Sequence, residues 1–188
     1  FIDGSLVLIG GIDSGISGRT DKVEMVSLTE NKELPPIPKK VAYHCVVKLE
    51  DTKIMVIGGY AQGSTAKTQI YDFETEVWTP GHPLIYKRDK HACARIEVGN
   101  KPYIVVAGGY VNFGGGNKSM TDTVEILDLV ENQGWIPGKK LPKALNAPSG
   151  VSLGSSMIVS GGLESEDGMY KFECSTNSID DCEWKTME

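Results

Sequence analysis

No apolar run in this chain of 188 residues approaches the ~18 needed to cross a bilayer as a helix. No apolar leader flanked by Lys or Arg is visible either. Phe1 is not an initiator methionine and the chain enters directly on a strand-like run, as a piece of something longer would, so a missing leader says nothing about secretion. Basic charge is scarce: 19 Lys and Arg against 25 Asp and Glu leave a net charge of −6. That balance lacks the broad basic footprint of a nucleic-acid surface, so no nucleic-acid partner is expected. Histidine is reduced to His44, His82 and His91, with no metal-ligand spacing, and no metal or cofactor is expected. No Ser/His/Asp or paired-carboxylate constellation stands out, and no catalytic residue is assigned. Residues 109–119 faintly resemble a phosphate-binding loop, but Asn117 separates the glycines from Lys118 and Ser119, and a strand follows where that motif requires a helix.

Glycine, by contrast, is plentiful: there are 22, and eight of them form the doublets Gly10-Gly11, Gly58-Gly59, Gly108-Gly109 and Gly161-Gly162. The doublets recur at spacings of 48, 50 and 53 residues, and each follows an apolar run such as Leu6-Val7-Leu8-Ile9 or Ile54-Met55-Val56-Ile57. A period near fifty marks a repeat protein whose units stack to bury a core that none buries alone. The second unit supplies the template. His44 to Leu49 reads as strand A, Lys53 to Ile57 as a strand B buried on both faces, Thr68 to Phe73 as strand C, and Val77-Trp78-Thr79 as strand D. The same layout recurs around Ala92 to Ile96, Tyr103 to Ala107, Thr123 to Leu127 and Trp135, and again from Ser149 to Trp184. The first unit lacks strand A and has Leu34 near the place of a tryptophan. The expectation is one all-β region over 1–188, divided at 1–40, 41–88, 89–144 and 145–188.

A hydrophobic run into Gly-Gly, an aromatic-containing third strand, and Trp78, Trp135 and Trp184 at 19, 26 and 22 residues after the second glycine together resemble the kelch repeat family. The resemblance covers essentially the whole chain. It implies four-stranded antiparallel blades of a β-propeller. A full ring needs about 300 residues at ~50 per blade, so a partial ring is expected here, with an unusual four-bladed ring as the alternative.

The blade template places the B–C and D–A loops on one face of the disc, where twelve basic residues meet seven acidic ones. That surplus of five leaves −11 for the remainder. In kelch substrate adaptors this face often takes a peptide. The resemblance therefore implies a non-catalytic interaction module binding a protein partner, with an acidic segment favoured by charge. The candidate contacts are Arg19, Lys67, Tyr86, Lys87, Arg88, Lys90, Tyr110 and Phe113, with Tyr60 as a further aromatic. The alternative from another class is a kelch-type enzyme, such as a galactose-oxidase-like or sugar-modifying propeller.

The four cysteines bear on the compartment. Cys174 and Cys182 flank a seven-residue hairpin loop and are expected to pair, which would indicate an oxidising environment. Cys45 and Cys93 occupy similar places on neighbouring A strands and are expected as small buried side chains, not as a bridge. Asn117-Lys118-Ser119 is a glycosylation sequon compatible with secretion. Extracellular and cytoplasmic settings both stay open.

Overall fold

In the computed structural model, residues 2, 4–13, 18–112, 118–163 and 168–187 are described. The apolar runs that end in glycine doublets become the second strands of antiparallel meanders. Unit 1 holds β1 (Leu6–Ile9), β2 (Ile12–Asp13), β3 (Gly18–Arg19), β4 (Val23–Val26) and β5 (Asn31–Leu34). Its main sheet has three strands in the order β1-β4-β5, and β2 and β3 form a small ribbon in the B–C loop. Unit 2 is β6 (Cys45–Glu50), β7 (Lys53–Ile57), β8 (Thr68–Asp72) and β9 (Val77–Pro80). The crossing to unit 3 carries β10 (Lys87–Asp89). Unit 3 is β11 (Ala92–Val98), β12 (Lys101–Ala107), β13 (Tyr110–Asn112), β14 (Lys118–Met120), β15 (Val124–Asp128) and β16 (Trp135–Gly138). Unit 4 is β17 (Ser149–Leu153), β18 (Ser156–Ser160), β19 (Met169–Cys174) and β20 (Cys182–Met187). Units 2, 3 and 4 each have a four-stranded sheet in A-to-D order. The turn between β11 and β12 shows the local logic: Gly99 and Asn100 have φ of 58° and 64°, as a two-residue hairpin turn that matches strand twist requires.

The sheets stack face to face, which explains why strand B reads as a continuous apolar run. In β12, Ile104 and Val106 enter the core shared with unit 2, while Tyr103, Val105 and Ala107 enter the core shared with unit 4. All five are at most 6% exposed. A third core, built from Val23, Leu34, Ile54, Val56 and Tyr71, joins units 1 and 2. The A strands lie side by side, β11 next to β6 and β17. They line an open trough of about 750 Å³ bordered by Val46, Lys48, Arg95, Val151 and Ser152.

Each tryptophan packs back on the preceding unit. Trp78, Trp135 and Trp184 donate their indole N–H to the carbonyls of Pro35, His82 and Lys139 at 2.9, 2.8 and 2.9 Å. All three acceptors lie in the crossing that leaves the preceding sheet. In unit 1 the position matching the tryptophan is Asn31, opposite Val26, and Leu34 sits at the other end of β5, opposite Val23. Leu34 enters the core between units 1 and 2, which also holds the rings of Tyr71, Phe73 and Trp78.

Both cysteine pairs are disulfides. Cys174–Cys182 closes the β19–β20 hairpin as expected. Cys45–Cys93 corrects the expectation of two buried thiols: their Cα atoms are 6.0 Å apart, and the bond joins β6 of unit 2 to β11 of unit 3. Equivalent positions on neighbouring strands of stacked sheets come within bridging range, a proximity that only the stacking reveals.

Candidate functional site

The doublets organise the rim where the units meet. A Cβ on Gly58 would lie 2.8 Å from the Arg88 carbonyl oxygen, in the crossing to the next unit. A Cβ on Gly59 would lie 2.9 Å from the Ala42 carbonyl oxygen, in the entry to its own unit. The first glycine therefore admits the following unit and the second admits its own A strand. The second glycines also bind across: Gly11, Gly59 and Gly109 donate N–H to the carbonyls of Val41, Arg88 and Leu145, each at 2.8 Å.

Two residues beyond those carbonyls stand Tyr43, Lys90 and Ala147, each just ahead of a strand A. All three are left-handed, with φ of 56°, 54° and 56°. Lys90 donates its N–H to the Tyr43 carbonyl at 2.9 Å, and Ala147 donates to the Lys90 carbonyl at 3.1 Å. This backbone belt runs from unit to unit and fixes where the Lys90 side chain starts. Its ammonium then sits 5.0 Å from the centre of the Tyr43 ring and 5.8 Å from that of Tyr110, within cation–π range of both. The Arg19 guanidinium lies 5.2 Å from the Tyr60 ring in the same way.

Pairing of β10 with β13 sets Lys87 opposite Asn112 and Asp89 opposite Tyr110. Among the sequence-derived candidates the structure thus gathers Lys87, Lys90 and Tyr110, and it adds Tyr43, which is 46% exposed. Lys87 is exposed and Tyr86 half-buried. Lys67 is exposed but lies apart, over a depression shared with Ile37, Lys39 and Val41. Phe113 lies outside the described residues, as do Asn117 of the sequon and the acidic Glu164, Glu166 and Asp167.

Arg88 is not a surface contact. It is 0% exposed and donates from Nε and Nη2 to Glu125 Oε1 at 3.0 and 2.6 Å, and from Nη1 to the Gly108 carbonyl at 2.9 Å. Glu125, also 0% exposed, accepts in addition from the N–H groups of Ile85 and Tyr86. Burial pulls the guanidinium pKa down and the facing carboxylate opposes that shift. Asp89, 1% exposed, accepts the Ser64 hydroxyl at 2.6 Å, so it too drops out of the surface charge. The cue that was available is that Glu125 is flanked in its strand by the apolar Val124, Ile126 and Leu127, and a carboxylate buried among them requires a cation.

His44 and His91 follow the belt residues directly and pack on the doublets: His91 Cε1 would lie 2.8 Å from a Cβ on Gly58. Desolvation lowers His44 to about 4 and His91 to about 3, with the nearby Arg88 charge adding to the latter shift. Both imidazoles are therefore neutral near pH 7, His91 buried and His44 half-buried. Among the described residues no three His, Cys, Asp or Glu side chains gather as a metal site. No described helix is long and apolar enough to cross a membrane.

Neither the protein-family models nor the curated proteins give a match to this chain.

Proposed function

We propose that this chain is a non-catalytic interaction module of the kelch type, a partial β-propeller that presents its B–C and D–A loops to an acidic segment of a protein partner. The observation that carries the reading is the Lys90 ammonium held between Tyr43 and Tyr110, beside exposed Lys87. A cation presented between aromatic rings offers charge and apolar area in one place, the combination on which binding hot spots rely. The Arg19–Tyr60 pair repeats the arrangement one unit away. Two disulfides favour an oxidising compartment as the setting.

The test selects binders from a displayed library of peptides rich in Asp and Glu, and measures the best against a Lys87→Glu/Lys90→Glu variant. Loss of at least tenfold in affinity, together with weakening as salt is raised, is expected. Unchanged affinity would sink the rim assignment. Arg88 is left out of that variant because its loss would unsettle the fold and mimic a binding defect.

A further inference from the structure

At the junction of units 1 and 2 the rim holds a hollow that the other two junctions fill with their own side chains. We propose that this hollow is an anchor subsite for one branched aliphatic side chain of the acidic partner segment, whose flanking carboxylates face Lys39 and Lys67. The subsite presupposes the rim reading above and adds to it a place and a side-chain class.

Three equivalent places can be compared within the molecule. The carbonyls of Val41, Arg88 and Leu145 each accept from the second glycine of a doublet, so their side chains start from matching points. On the strands they approach, Gln69, Glu125 and Tyr170 stand opposite Val56, Val106 and Val159. Between units 2 and 3 the long Arg88 side chain takes the space: its guanidinium reaches the carbonyls of Gly108 and Thr123 at 2.9 and 3.2 Å and is met by Glu125. Between units 3 and 4 apolar bulk does so, since Leu145 and Tyr170 both lie in the shared core. Between units 1 and 2, Val41 ends at its two methyls, and Gln69 supplies no ring. A depression of about 20 Å³ results, walled by Ile37, Val41, Val56 and Ala61. That is room for roughly one methyl-sized group.

Walls and mouth then name the chemistry. The four wall residues are apolar and buried, so a charged group pushed between them would lose its water without gaining a partner. The entering group is therefore aliphatic, and an aromatic ring is too large for the space. The mouth is cationic, because Lys39 and Lys67 border the depression and are both exposed. A third cation stands close in the chain: the Arg19 guanidinium lies 5.2 Å from the ring of Tyr60, the residue before Ala61. An aliphatic tip gains from burial in the hollow, and carboxylates on either side of it gain from the two ammonium groups. A basic segment is repelled at the mouth, while a purely acidic one has nothing to place between the walls. The fitting pattern is acidic, aliphatic, acidic.

The probes are three synthetic peptides, Glu-Glu-X-Glu-Glu with X as Ile, Phe or Ser, titrated into the whole chain by calorimetry and by the methyl resonances of Ile37, Val41 and Val56. The Ile peptide should bind at least tenfold more tightly than the other two and shift those methyls. Val41→Leu copies the Leu145 crossing and adds one methylene to the hollow. It should erase the preference for Ile over Ser without lowering the denaturation midpoint. Ala61→Val, which copies Val111 of unit 3, should do the same from the opposite wall. Lys39→Glu/Lys67→Glu should weaken all three peptides at least tenfold. Equal binding of the Ile and Ser peptides that is lost in Lys87→Glu/Lys90→Glu would overturn the subsite and leave the rim reading standing. A preference for Ile that survives both filling variants, or that leaves the three methyls unmoved, would also overturn it. No binding by any peptide would overturn both.

Discussion

A basic residue in a loop is ordinarily assigned to solvent, and Arg88 shows how the assignment fails. The loop sequence around it is polar, so nothing local marks the side chain as interior. Its acceptor, Glu125, is 37 residues away and on another sheet. The two other crossings carry Val41 and Leu145 where this one carries Arg88, and Gln69 and Tyr170 stand where unit 3 has Glu125. Removing one partner should therefore hurt more than replacing both. We expect Arg88→Ala to cost about 3–5 kcal/mol by stranding the buried carboxylate, and the double variant Arg88→Val/Glu125→Gln, which copies unit 2, to recover most of it. Urea denaturation of the three proteins checks this. A double variant no more stable than the single one contradicts it. In the sequence Arg88 reads as an exposed loop cation and in the structure it is buried, because charge type is visible in a sequence and its neutralisation is not.

Strands were the most legible elements. Leu6–Ile9 and Lys53–Ile57 match the expected runs residue for residue, and only the ends of others shift. Apolar runs bounded by glycine determine such strands locally. What connects the sheets was less legible, because it is made by backbone groups and by distant partners. The indole N–H acceptors of the tryptophans are carbonyls, which carry no residue signature, and the short strands β10, β13 and β14 form a three-stranded sheet from segments that read as loop. The bridge between β6 and β11 is the covalent version of such a connection. On a chain-entropy basis it closes a separation of 48 residues and contributes about 4 kcal/mol, against roughly 2–3 kcal/mol for the hairpin bridge of separation 8. Cys45→Ser/Cys93→Ser should accordingly lower stability more than Cys174→Ser/Cys182→Ser in chemical denaturation. The reverse order would show that unit 2 and unit 3 hold together without the bond.

Across the whole molecule, the buried imidazoles make acid a general solvent of the stack. An unfolded chain protonates His44 and His91 near 6.5, but the folded one resists until about 4 and about 3. The unfolded state thus binds more protons below 6.5, so stability is level above about pH 7 and falls as pH drops through 6 and 5. The limiting slope for two groups is roughly 2.7 kcal/mol per pH unit. Denaturation midpoints between pH 8 and 5 test this, together with Cε1 proton shifts that stay neutral-like through pH 6. A shift change centred near 6.5 for either residue would refute it. The belt of left-handed residues has a consequence of another kind. It engages Tyr43, Lys90 and Ala147 through their main chain alone, and the three side chains are as unlike as a ring, an ammonium and a methyl. At that rung the scaffold is blind to what it displays. One backbone path can therefore carry many different side chains at that rung without renegotiating the fold.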